Sequence, residues 1–70
     1  MIMNINEIRY FEQKMVDSAC NDAIKHYPML AERISKAWKM KTQGLCSFSE
    51  YITHLQNMTG NCALFYKYRF

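Results

Sequence analysis

Residues 25–33 read "KHYPMLAER", and the proline at position 28 decides how the chain is divided. A proline ring fixes φ and removes the backbone N–H. It therefore breaks a helix interior but suits the first position of a new helix, where that donor is unused. The stretch predicts one helix ending near His26 and a second starting at Pro28.

Upstream of it, Ile5, Ile8, Phe11, Met15, Val16, Ala19, Cys20, Ala23 and Tyr27 recur at spacings of three and four. At 100° per residue these positions make an apolar face roughly 180° wide. Most surface helices carry a narrower stripe, so this helix is expected to touch two neighbours at once and to be the central element. Asn4 followed by Glu7 offers its N-terminal cap, which gives a first helix over about residues 4–27. Downstream of Pro28, Leu30, Ile34, Ala37 and Trp38 form the stripe of the second helix, with Lys36 and Lys39 opposite. Gly44 follows a basic last turn, "KMKTQ", and supplies the left-handed residue on which helices end. The second helix is thus expected over 28–43.

The segment "CSFSE", residues 46–50, carries the clearest local signal. Ser47 and Glu50 make a capping box, and Cys46 and Tyr51 stand where a hydrophobic staple would be. A third helix over 47–59 follows. Phe48, Tyr51, Ile52, Leu55 and Met58 lie inside its stripe, Glu50, Thr53, His54 and Asn57 lie outside it, and Gly60 closes it. The expected fold is all-α: one domain, 1–70, of three main helices with an aromatic C-terminal segment, either a short helical turn or an extended arm.

That segment, "NCALFYKYRF" (61–70), packs Phe65, Tyr66, Tyr68 and Phe70 around Lys67 and Arg69. A strand would put Leu64, Tyr66, Tyr68 and Phe70 on one side, with no strand in its own chain to pair with. An α-helix capped by Asn61 would put Leu64 and Tyr68 together, with Tyr66 and Phe70 elsewhere. Neither form hides every aromatic in a small bundle. The expectation is that Leu64 and Phe65 anchor the segment, while Tyr66, Tyr68 and Phe70, with Lys67 and Arg69, face a partner.

Composition narrows the function classes. Seventy residues bury only about 60% of the surface their unfolded chain exposes, so stability is marginal and a second subunit would add to it. Half the residues are apolar, too many for disorder. Three cysteines, Cys20, Cys46 and Cys62, are an odd number at wide spacing and fit a reducing cytoplasm. "MIMNINEIRY" has neither a basic n-region nor an unbroken apolar core, which argues against a signal peptide. No stretch approaches the ~20 apolar residues of a membrane span.

No constellation of catalytic residues is selected. A zinc site needs ligand pairs two to four residues apart, and the Cys20–His26, Cys46–His54 and His54–Cys62 intervals are all longer. The thiols are expected to act as small hydrophobes. A Cys–His nucleophile has no supporting pattern, since His54 points away from the apolar stripe of its helix and Cys46 precedes that helix. Asp17/Asp22 and Glu7/Glu12 are spaced too far apart for paired carboxylates. No metal, cofactor or enzymatic activity is expected. Asp22 and His26, four apart on the first helix, are expected to form an ion pair at the edge of its face.

Net charge is +3, placed locally: residues 28–45 hold Arg33, Lys36, Lys39 and Lys41 against Glu32 alone. The second and third helices can therefore be compared with a DNA-binding helix-turn-helix. In that arrangement Arg33, Lys36, Lys39 and Lys41 would meet phosphates, and Ser49, Thr53, His54, Gln56 and Asn57 would meet base edges. Against it, the third helix has no Lys or Arg and the connection "TQGLCS" exceeds the usual three to four residues. Protein interfaces favour the Tyr, Phe, Met and Arg seen here. The favoured expectation is a small non-catalytic regulator, adaptor or inhibitor that occupies a surface of a larger protein. Self-association through the same apolar surface is also expected, and nucleic-acid binding is the second reading.

Overall fold

Pro28 ends the first helix as expected, and the chain turns there through a single 3-10 turn. A computed structural model describes the backbone of residues 5–68 and the side chains of residues 9–68. Helix α1 spans Ile5–His26, the 3-10 turn Pro28–Leu30 leads into α2, Ala31–Thr42, and α3 runs Phe48–Thr59. A 3-10 segment, Ala63–Tyr68, follows. The expected cap at Asn4 and Glu7, the Ile5 and Ile8 side chains, and Arg69 and Phe70 lie outside the described residues.

The local signals act through backbone hydrogen bonds that can be named. Ser47 Oγ accepts from the Glu50 N–H at 3.1 Å, and the Glu50 carboxylate accepts from the Ser47 N–H at 3.1 Å, completing the capping box. The Ser47 backbone N–H first, and the Ser47 hydroxyl second, hold the Glu50 carboxyl below its usual range. At the end of α2 the Leu45 N–H reaches Met40 O at 2.9 Å and the Gly44 N–H reaches Lys41 O at 3.0 Å. That pair is the Schellman arrangement, and it needs Gly44 at φ 78°.

The broad face of α1 does what its width implied: α1 touches α2, α3 and both 3-10 segments. Val16, Ala19 and Ala23 are fully buried on it, against Ile34 and Ala37 of α2 and Tyr51, Ile52 and Leu55 of α3. The two alanines let the neighbouring helices approach closely, and Tyr51 spans the gap, its hydroxyl donating to Val16 O at 2.9 Å. Trp38 is half-buried and donates from Nε1 to Asp17 at 2.8 Å. Phe11 departs from the expectation, being half exposed although it belongs to the apolar periodicity.

The C-terminal segment is a helical turn, but with a period of three. In a 3-10 helix residues i and i+3 eclipse, so Phe65 and Tyr68 share one face, and that face is buried. Tyr68 thus corrects the expectation that it faces a partner. Its hydroxyl donates to Asp22 of α1, and Lys67 pairs with the same carboxylate at 2.9 Å. Asn61 ties the turn down from the other end, accepting from the Leu64 N–H at 3.2 Å and donating to the Tyr27 hydroxyl at 3.1 Å.

Asp22 is therefore bonded to the tail, and the exposed His26 acts on its carboxylate only as a nearby charge and not as a paired ion. Its carboxyl is held below the ordinary range, first by the Tyr68 hydrogen bond and then by Lys67. A lowered folded-state value contributes stability that is present above the unfolded value of about 4 and is lost as pH falls through the folded value. On acidification from about pH 6 to about pH 3, Asp22→Asn is expected to lose less of its Tm than the wild type, because the titrating acceptor is already gone. Parallel losses in the two proteins would show that Asp22 does not tie the tail.

Candidate functional site

Helices α2 and α3, joined by a short connection, leave a groove of about 300 Å³ between them. Arg33, Lys36, Ala37 and Met40 line it from α2, His54 and Met58 from α3, and Cys46 from the connection. Helical spacing explains the α2 set: positions 33, 36, 37 and 40 are i, i+3, i+4 and i+7, one stripe beside the buried Ile34. Two thioethers, a thiol and a methyl form the apolar part of the lining, and cations stand at its edge; none of the lining residues is acidic.

The cationic residues singled out from the sequence separate in space. Arg33 and Lys36 meet at this groove with His54. Lys41 does not, because its ammonium pairs with Glu12 of α1 and its side chain is only 14% exposed. Lys39 is exposed outside the groove lining. Thr53 and Asn57 are exposed along α3, beside Ser49, Glu50 and His54 in a shallow hollow. The helix-turn-helix comparison thus retains two of its four phosphate candidates on the face that α3 shares.

Cys46 and His54 line one groove, which their spacing did not indicate. Burial pushes the Cys46 thiol up, and Glu50 adds to this, so the sulfur stays protonated rather than becoming an activated thiolate. Cys20 is likewise raised by burial, with Asp17 adding to it. Both behave as half-buried small hydrophobes, whereas Cys62 is exposed. Among the described residues no three His, Cys, Asp or Glu side chains group closely enough to hold a metal ion, and no helix is long and apolar enough to cross a membrane.

The tail contributes less surface than its composition implied. Tyr68 is buried, Lys67 is engaged with Asp22 while 65% exposed, and Tyr66 is 66% exposed. A second hollow opens between α3 and Tyr68, lined by Ser47, Phe48, Ser49, Ile52, Thr53 and Gln56. The groove was missed in the sequence because its residues count as solvated cations and stripe-edge methionines until two helices bring them together. No protein-family model matches this chain, and no curated protein or solved structure matches it either.

Proposed function

We propose that this is a small non-catalytic regulator that binds a larger protein, and that the α2/α3 groove takes an acidic amphipathic segment of that partner. The observation that carries the reading is the lining itself: Arg33, Lys36 and His54 around Met40, Met58 and Ala37. Methionines adapt to irregular apolar side chains. Cations at the edge select carboxylates and steer encounter. An amphipathic helix laid in a groove uses this combination of apolar floor and charged edge.

Nucleic acid is the second reading, favoured by the same two cations, Arg33 and Lys36. It is the weaker one because Lys41 is committed to Glu12 and because phosphate binding has no use for a thioether floor.

Affinity purification from the native cell, with wild type and Arg33→Glu/Lys36→Glu compared, tests the proposal. A protein retained by the wild type, unaffected by nuclease and reduced at least about tenfold by the double reversal is expected, since like charges across an interface cost several kcal/mol. Retention of nucleic acid that falls steeply with salt, or a protein captured equally by both chains, would overturn it.

A further inference from the structure

Helix α1 is longer than its neighbours. Its 22 residues extend about 33 Å, against about 18 Å for the 12 residues of each of α2 and α3. The Lys41–Glu12 pair puts the last turn of α2 beside Glu12, and the Tyr51–Val16 hydrogen bond puts the start of α3 beside Val16. The first turns of α1, from Ile5 to Phe11, therefore extend beyond the helical part of both neighbours.

Tyr10 and Phe11 sit at this overhang, 57% and 51% exposed, their rings edge-on with centroids 5.7 Å apart. The Lys14 ammonium lies 4.8 Å from the Tyr10 ring centre. Positions 7, 10, 11 and 14 are i, i+3, i+4 and i+7, so they share one face of the helix. That face, continued by the exposed Ser18 and Asn21, lies opposite the buried Val16, Ala19 and Ala23.

The charges along it have a particular symmetry. The sequence places an acid, Glu7, three residues before Tyr10, and a base, Lys14, three residues after Phe11. If the helix is reversed and laid on itself about a two-fold axis between residues 10 and 11, position 7 of one copy falls opposite position 14 of the other, and position 10 falls opposite position 11. Each pair is made twice, as an isologous interface requires. A foreign partner would not need an acid and a base placed symmetrically about the aromatic pair.

We propose that α1 pairs antiparallel with α1 of a second copy about a two-fold axis between Tyr10 and Phe11. The pairing uses the side of α1 away from α2 and α3, so it leaves the groove between those helices open and stands or falls separately from the groove's partner.

Sedimentation equilibrium of the full chain tests it with a charge swap. The wild type should reach about twice the 8.4 kDa chain mass. Glu7→Lys and Lys14→Glu should each weaken self-association at least about tenfold, because each places like charges opposite each other. A one-to-one mixture of the two variants should restore the dimer, since in the mixed pair each reversed charge faces a reversed charge of the opposite sign. Circular dichroism equal to the wild type shows that each variant is folded, and Arg33→Glu/Lys36→Glu should dimerise like the wild type. A wild type that stays monomeric up to about 1 mM, a dissociation constant too weak for a specific interface, would overturn the proposal. So would single reversals that dimerise normally, or a mixture that stays monomeric.

Discussion

Phe65→Ala is expected to cost about 3–5 kcal/mol and to leave the chain largely unfolded at physiological temperature. The ring is fully buried, one of the largest side chains in the molecule with no exposed surface. A 70-residue domain has roughly 4–10 kcal/mol in total, so the loss takes a large share of it. Thermal unfolding followed by circular dichroism should show Tm lowered by more than about 12 °C. Phe65→Leu, which keeps most of the apolar volume, should fall in between. A Tm for Phe65→Ala within about 3 °C of the wild type, well under 1 kcal/mol, would mean that the C-terminal turn is not part of the core. The burial of Tyr68 would then be equally dispensable.

Tyr51 should show the second largest effect, and two substitutions separate its ring from its hydroxyl. Tyr51→Ala removes the largest fully buried side chain among the described residues and should cost about 3–5 kcal/mol. Tyr51→Phe removes only the hydrogen bond to Val16 O, worth about 1 kcal/mol. The carbonyl left behind keeps the intrahelical acceptor role of a residue in mid-helix, so no buried group is orphaned. Burial raises the phenol far above its ordinary value, so the hydroxyl remains a donor over the whole range in which the fold survives. Denaturant titration of the three proteins is the measurement. If Tyr51→Phe were as damaging as Tyr51→Ala, the hydroxyl rather than the ring would be what joins α3 to α1.

The candidate site was partly legible in the sequence. Arg33, Lys36, Thr53, His54 and Asn57 were recognisable as polar positions on the two helices, yet nothing local distinguishes Lys36, which lines the groove, from Lys41, which is consumed by Glu12. Both are lysines on one basic helix. The difference arises because Lys41 sits where α2 meets α1 and Lys36 sits where α2 meets α3. Met40 and Met58 gave no signal either, since a methionine in or beside an apolar stripe is ordinary core filling until a groove opens over it.

The tail shows the same division. Its aromatic content was plain, and so was the anchoring role of Phe65. Whether Tyr68 joins Phe65 depends on the period of the segment: at two, as in a strand, it falls on the opposite face with Leu64 and Tyr66, at about 3.6 it is displaced around the helix, and at three, as in a 3-10 turn, the two eclipse. So short a segment cannot set its own period. Asn61, held by Tyr27, and Asp22, accepting from Tyr68, select the 3-10 form from outside it.

The sequence by itself determined where the helices begin and end. Pro28, the Ser47/Glu50 box, Gly44 and Gly60 act on backbone groups about three to five residues away, so the information is complete in a short window. Only the tertiary structure decided which polar groups inside the apolar faces are matched. Asp17 with Trp38, Val16 with Tyr51, and Asp22 with Tyr68 join residues 21, 35 and 46 positions apart. No periodicity encodes such pairs, because each requires two elements already packed at a fixed distance and rotation before either group can find the other.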